Sequence, residues 1–464
     1  MDWLDRVEEL ARLERLSARR DGGLALLWGR RRIGKTRLLL EWVRRANGIY
    51  FVADESAPSI QRRRFADALE PRLPGFGRVE YPDWGSLFER LARDAKLAHL
   101  RGPFVIDELP YLVAASPDLP AILQRFVDHE AKDVRLVLGL AGSSQRMMQG
   151  LVLDAGAPLY GRAREAFEVR PLAPAFLGHA LGLRDPSEIV HAFSVWGGVP
   201  RYWELAAEHE GLREAVDALV LDPRGVLHDE PTRLLLEEIP PAMGLRPILD
   251  AIGGGAHRVT EIAARIGSPA TALTRSMTRL VELGFIVRET PFGEPERSTK
   301  RALYRLADPF LRLWFSLVAP KRALLAQLPT KARLALFDAR APHLVAASWE
   351  ELCRAAVPHL ADVLGAPFGP AKRYWGGSGP EWDVVAEAVH GGRLLLAEAK
   401  WSARESAAGA HAALVGKNAA AFPGRDIVRA VFVRERPKKR PSSIPKDVHI
   451  IDASMVIDAL SHGR

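Results

Sequence analysis

Several sets of residues in this sequence have types and spacings that suit phosphate chemistry. The first is Gly29-Arg30-Arg31-Arg32-Ile33-Gly34-Lys35-Thr36, set between the apolar run from Leu24 and a helical pattern through Leu40. It fits G-x-x-x-x-G-K-[ST] in the strand-loop-helix context the pattern requires. Main-chain N–H groups of Gly34, Lys35 and Thr36 would converge at a helix N-terminus, where aligned dipoles favour a di- or triphosphate. Lys35 then supplies a point charge to the β/γ oxygens, and Thr36 a hydroxyl ligand for Mg²⁺. Arg30, Arg31, Arg32, Ile33 and Arg37 complete the expected nucleotide contacts.

The second set, Asp107-Glu108, ends the apolar stretch Pro103-Phe104-Val105-Ile106 about 70 residues after Lys35. At that position Asp107 is expected to hold the Mg²⁺ shell and Glu108 to polarise the attacking water. A further apolar run, Arg135–Ala141, ends in Gly142-Ser143-Ser144. One of these serines, with Ser143 as the chosen candidate, would sense the γ-phosphate or its water; the alternative is a plain turn. Arg162 and Arg164, just before a strand expected at Ala166–Val169, are candidates to reach a phosphate within the subunit or in a neighbouring copy. A role in surface solubility is the alternative.

Far downstream, Glu381–Ala386 and Leu394–Trp401 read as the two strands of a hairpin closed by Gly391-Gly392. Strand periodicity puts Glu398 and Lys400 on one face and Ala397 and Ala399 on the other, and pairing can bring Asp383 beside them. Asp383 and Glu398 with Lys400 suit a Mg²⁺ site and a charge stabiliser or general base for phosphodiester hydrolysis. The basic segment Arg434-Glu435-Arg436-Pro437-Lys438-Lys439-Arg440 either grips phosphates beside that site or forms a solvated loop.

The elements that must position these residues follow from length and patterning. A chain of 464 residues exceeds a single core, so three domains of ordinary size are expected. With 48% hydrophobic residues it is globular, and no run approaches the ~18 apolar residues of a membrane span. The N-terminal MDWLDRVEELARLERL is an amphipathic helix with no signal-peptide core, and a soluble cytoplasmic protein is expected. Its Asp5-Arg6 pair either flanks the adenine or belongs to a solvated helix face. The single cysteine, Cys353, excludes an internal disulfide and any cysteine-cluster metal site. A formal charge of +8 permits a polyanionic partner, although an arginine-rich composition arising from genomic GC content would give the same sign.

Between the two ends, short helices at Leu245–Ile252, Val259–Ile266 and Pro269–Leu283 precede a hairpin, Phe285–Thr290 with Arg301–Leu306. This order resembles a winged helix. In the third helix Leu273, Met277, Leu280 and Val281 form the apolar stripe, leaving Thr274, Arg275, Thr278 and Arg279 outside. That face suits a DNA groove, with Arg297, Lys300 and Arg301 on phosphate; use of the module for domain packing is the alternative.

GRRRIGKT, FVIDE, LGLAGSS, LYGRAREAFEVRPL and GGVPRYWEL together look like the prokaryotic and archaeal-type ATPase family within the AAA-like P-loop ATPases. The resemblance implies ATP and Mg²⁺ as ligands, a parallel sheet of order 5-1-4-3-2 and a small helical lid whose Arg201 contacts nucleotide. A homo-oligomer is compatible with arginines that reach a neighbouring copy, and the sequence leaves the oligomeric state open. The D-(x)14-E-A-K arrangement resembles the PD-(D/E)xK restriction-endonuclease-like superfamily, with Glu350 matching its helix-borne acidic metal ligand and Trp382 standing where that motif has proline. The expected fold class is therefore α/β: a P-loop core at 1–170, helical lid at 171–240, winged helix at 241–318, and connector helices with a restriction-endonuclease-like domain at 319–464. The expected function is ATP hydrolysis coupled to DNA binding and metal-dependent DNA cleavage. The alternative is a nucleotide-gated interaction protein whose C-terminal domain is not catalytic.

Overall fold

The computed structural model describes residues 6–143, 148, 150–151, 156–238, 244–296, 301–376, 380–402, 407–417 and 422–462. Asp5, Ser144, Arg297 and Lys300 lie outside the described residues. The chain divides into two compact units, one of Asp5–Pro171 and one built from Leu172–Arg464.

The first unit is a five-stranded parallel sheet in the order β2-β3-β4-β1-β5. Its strands are β1 (Gly23–Trp28), β2 (Ile49–Val52), β3 (Pro103–Asp107), β4 (Val137–Gly142) and β5 (Ala163–Glu168). The central strands β1, β3 and β4 are buried along almost their whole length, as their uninterrupted apolar runs require when helices cover both faces. β4 thus separates the loop-bearing β1 from the acidic β3. Helix Lys35–Arg45 follows the loop and buries Leu38, Leu39 and Trp42. Gly139 keeps β4 close to that helix, since a Cβ there would stand 2.6 Å from the Trp42 ring.

In the second unit, helices Arg246–Gly253, Val259–Ile266 and Ala270–Glu282 are followed by the antiparallel pair β6 (Ile286–Glu289) and β7 (Leu303–Leu306). Leu273, Met277 and Leu280 are buried as the stripe demands, but Val281 is 37% exposed and belongs to the outer face instead. A 27-residue helix, Thr330–Ala356, then runs through Pro342 and leads from the connector into the last domain.

A second, mixed sheet closes the chain in the order β12-β11-β10-β9-β8. It comprises β8 (Lys372–Tyr374), β9 (Trp382–Glu387), β10 (Arg393–Lys400), β11 (Asp426–Val433) and β12 (Val448–Ile451). β8, β9 and β10 are antiparallel neighbours, whereas β10, β11 and β12 run parallel. One face of this sheet packs Leu395, Ala397 and Ala399 against Trp349, Leu352 and Cys353 of the long helix. Among the described residues no helix is long and apolar enough to cross a membrane.

Candidate functional sites

The loop after β1 is shaped by its main chain. Gly29 has φ 148°, and a Cβ there would meet the Val169 carbonyl oxygen at 2.5 Å. Gly34 caps helix Lys35–Arg45 at φ 92°, a conformation that costs an L side chain energy. Lys35 is only 5% exposed, and its ammonium donates to the carbonyls of Gly29 (2.6 Å) and Arg30 (2.9 Å), within the loop it would leave on meeting phosphate. Arg31 donates to the Tyr111 hydroxyl (2.8 Å). Arg37 is exposed on the helix's first turn.

The loop meets the acidic end of β3 directly. Thr36 Oγ1 donates to Asp107 Oδ2 at 2.8 Å, and the Tyr50 hydroxyl donates to the same oxygen at 2.9 Å. Burial and the neighbouring Asp107 carboxylate push the Tyr50 phenol well above its usual value, so it serves Asp107 as a hydrogen donor. Asp107 Oδ1 accepts from the Glu108 amide at 2.9 Å, which fixes the carboxylate. Hydroxyl and carboxylate side by side are the hard oxygen donors a Mg²⁺ ion takes, so Thr36 and Asp107 fit that ion. Glu108, at φ 54°, turns its carboxylate to Ser143: Oε1 accepts from Ser143 Oγ at 2.7 Å and Oε2 from its amide at 3.4 Å. Ser143 is therefore placed to orient Glu108.

Three expectations for this unit are corrected. β5 pairs with β1 so that Ala163 faces Leu24 and Glu168 faces Trp28. Arg162 and Arg164 thus lie at the end of the sheet opposite the phosphate loop, some five extended residues or about 16 Å from Gly29. They cannot reach a phosphate bound in their own subunit; Arg162 holds Asp128 (2.9 Å) and Arg164 holds Asp21 (2.6 Å). Finally, Arg6 does not sit on a solvated face. It is 4% exposed, donates to the carbonyls of Ile33 (3.1 Å) and Arg170, and so ties the loop to the chain beyond β5.

These observations decide what the first unit is. Residues 3–205 match the family of ATPase domains found predominantly in Archaea. The N-terminal part of this chain is similar to the P-loop ATPase domains of that family. Residues 314–411, which carry Glu350, Asp383, Glu398 and Lys400, match a family of archaeal and bacterial proteins of unknown function. An uncharacterized protein of Methanocaldococcus jannaschii is 28% identical over 408 residues, covering 86% of this chain and 87% of its own. Among solved structures, the Walker-type ATPase of Pyrococcus abyssi shares the fold at 20% identity and a TM-score of 0.54, over 68% of this chain and 96% of that one. The Aeropyrum pernix ORC2 protein in its ADPNP–ADP complexes aligns at 16% identity over 74% of this chain and 95% of its own, with a TM-score of 0.41.

In the second unit of this ATPase, Arg201 is on the first turn of helix Pro200–Ala206, largely exposed and paired with Glu204 at 3.2 Å. The hairpin register (Ala397 opposite Val384) continues to set Glu398 opposite Asp383. Asp383 Oδ2 accepts from the Ala399 amide at 3.0 Å and stands 3.8 Å from the Lys400 ammonium, which is also 3.2 Å from Glu398 Oε2. Glu350, on the long helix, lies 3.6 Å from Arg354 and 3.9 Å from Arg373; Arg354 also donates to the Asp383 carbonyl at 2.9 Å. Burial, reinforced by the Asp383 charge, raises the affinity of both Glu350 and Glu398 for a proton.

Sequence reasoning missed the residue that completes this cluster. Lys417, two residues past helix Ala407–Val415, donates to Glu398 Oε1 and to the Glu381 carbonyl (2.5 Å), with its ammonium 5.5 Å from the centre of the Trp382 ring. Both oxygens of the 1%-exposed Glu398 side chain therefore face ammonium groups. The donor chemistry of Asp383, Glu398 and Glu350 suits a hard divalent cation, but among the described residues no group of three His, Cys, Asp or Glu is disposed to hold one. The expected three-carboxylate ligand set is to that extent corrected: each carboxylate has a cationic or main-chain partner in place of the metal.

The β6–β7 hairpin is occupied as well. Phe292 donates its amide to the Arg373 carbonyl (2.8 Å), and Trp375 Nε1 donates to the Arg301 carbonyl (3.1 Å), so the hairpin docks on β8. Arg301 itself pairs with Glu294 at 3.4 Å. Thr274 and Thr278 of the third helix, with Arg288, Arg354, Lys372 and Arg373, line one cleft of about 1010 Å³.

Proposed function

We propose that ATP binding and hydrolysis in the first unit govern a nucleic-acid-processing second unit that cleaves DNA with a divalent cation. The convergence of Asp383, Glu398 and Lys400 at one hairpin end is the observation that carries this reading. In the ATPase, Lys35 leaves its loop carbonyls for the β/γ-phosphate oxygens, and Thr36 and Asp107 are the residues that would hold Mg²⁺. Bound Mg²⁺ would neutralise the charge developing on those oxygens. Glu108, oriented by Ser143, accepts the proton of the water that attacks the γ-phosphorus. Arg201 serves as the lid's contact to nucleotide, and Arg162 and Arg164 are left the role of meeting a phosphate bound by a neighbouring copy in a homo-oligomer.

In the second unit, Asp383 and Glu398 would face the divalent cation, and Lys400 would stabilise the charge that builds on a phosphodiester as water replaces its leaving oxygen. DNA reaches the cluster along the outer face of helix Ala270–Glu282, taken as the recognition helix of a winged helix, and the cleft that Thr274 and Thr278 line. A second reading draws support from the docked β6–β7 hairpin and the lysine-covered Glu398: a nucleotide-gated interaction protein that cuts nothing.

Plasmid incubated with Mg²⁺ or Mn²⁺, with and without ATP, separates the two readings. Metal-dependent nicking by the wild type that Asp383→Ala abolishes supports cleavage; no nicking under any condition leaves only the second reading. In parallel, Lys35→Ala is expected to abolish phosphate release, and unchanged turnover would overturn the role given to Lys35.

A further inference from the structure

The outer face of helix Ala270–Glu282 does not stand open as a duplex reader's would. Its Thr274 and Thr278 share a cleft of about 1010 Å³ with Lys372 and Arg373 of β8, so the edge of the last sheet walls it. The β6–β7 hairpin is tied to the same edge. Phe292 donates its amide to the Arg373 carbonyl (2.8 Å), Trp375 Nε1 donates to the Arg301 carbonyl (3.1 Å), and Arg305 of β7 bridges Glu289 of β6 and Glu351 of the long helix. A duplex reader lays its helix in a groove about 12 Å wide, with a phosphate backbone on either side. A cleft equivalent to a cube about 10 Å on a side has no room for both backbones, but it admits one strand.

Within the cleft, Arg373 has donors to spare. Its nearest carboxylates, Glu289, Glu350 and Glu381, stand at 3.9, 3.9 and 4.0 Å, beyond hydrogen-bond reach. Glu289 is already bonded to Arg305, and Glu350 lies nearer to Arg354, at 3.6 Å. Among the described residues the Arg373 guanidinium makes no hydrogen bond, and a planar fork of N–H groups suits two oxygens of one phosphate. Arg354 lines the cleft too and donates to the Asp383 carbonyl at 2.9 Å, so the cleft reaches the hairpin that bears the carboxylates. Of the acidic residues in the lining, Glu289 is held by Arg305 and Glu296 stands 3.5 Å from Lys372, which leaves only the exposed Glu282 without a cation. We propose that this cleft is a groove for a single nucleic-acid strand, free or bared where a duplex opens, with Arg373 as its phosphate anchor and closed duplex excluded. This rests on reading the second unit as nucleic-acid-processing and adds the form of nucleic acid it takes. Thr274 and Thr278 then meet phosphate and sugar oxygens instead of base edges, so the groove is tolerant of sequence. A supercoiled plasmid offers such a strand where its helix opens, whereas a short linear duplex does not.

The test uses the full chain without nucleotide and in EDTA, so that no metal-dependent step intervenes. Fluorescence anisotropy compares a labelled single strand of about 20 nucleotides with a linear duplex of the same length. The single strand is expected to bind about tenfold more tightly. Arg373→Gln is expected to weaken strand binding about tenfold and to flatten the slope of log affinity against log salt by about 0.7. Thr278→Asp, on the exposed helix face and away from β8, sets a repelling charge in the groove and is expected to cost several-fold in affinity whether or not Arg373→Gln disturbs the strand. Duplex held as tightly as the single strand, or strand binding that neither variant weakens, overturns the groove while leaving nucleic-acid binding in place. Binding of neither form overturns both.

Discussion

The phosphate loop and the C-terminal carboxylate cluster both gather charged groups at the ends of strands, but they are made from different material. The loop is main chain: eight consecutive residues, two glycines and a helix start, with Lys35 resting on the loop's own carbonyls. The cluster is side chain: Glu350, Asp383, Glu398, Lys400 and Lys417 come from a long helix, two strands and a loop. A site made of amides keeps its shape when one side chain is lost. A site made of balanced charges does not, because each carboxylate depends on a cation supplied by another element.

Variants can sharpen that contrast, beginning with the largest effect. Asp107→Asn keeps the shape of the ATPase site but weakens its hold on Mg²⁺, and phosphate release should fall by about 10²–10³-fold with little change in melting temperature. If the melting temperature falls sharply instead, the loop too depends on charge balance. Glu398→Ala should do the reverse and lower the urea-unfolding stability of the second unit by about 2 kcal/mol while leaving ATP turnover near the wild-type rate. The loss is smaller than for a fully enclosed pair because Lys400 and Lys417 reach solvent.

The smallest effect concerns His191, whose Nε2 lies 3.1 Å from Trp401 Nε1 beside the carboxylate strand. Burial, with the Arg434 charge, holds the imidazole below its usual pKa, so the folded state favours the neutral ring that accepts this hydrogen bond. Its contribution is present above the unfolded value of about 6.5 and is lost as pH falls through the lower folded value. His191→Gln keeps an acceptor that does not titrate. The wild type should therefore lose about 1 kcal/mol relative to this variant as urea melts move from pH 7.5 to pH 5. A constant difference would remove His191 as a titrating support of the cluster.

What the sequence disclosed follows the same divide. The loop, the acidic end of β3 and Ser143 were readable because each lies in one continuous strand-turn pattern, and family resemblance supplied the strand order that brings them together. Asp383, Glu398 and Lys400 were readable because a two-glycine turn, Gly391 and Gly392 at φ 73° and 80°, fixes the hairpin register. Tyr50, Arg354, Arg373 and Lys417 were not, since nothing in their own neighbourhoods marks them; they arrive by packing across the fold. Arg162 and Arg164 misled for a related reason: a pair of arginines beside a strand does not say which end of the sheet it occupies.

The hydrogen bond from the Phe292 amide to the Arg373 carbonyl bears on the economy of the whole second unit. β8 is only three residues long and forms the rim of its sheet, where unpaired amides invite another chain. The β6–β7 hairpin covers that rim. A protein that lifted the hairpin to embrace a ligand would bare an adhesive margin in the same movement, so shortening the tip should be felt first as a tendency to self-associate.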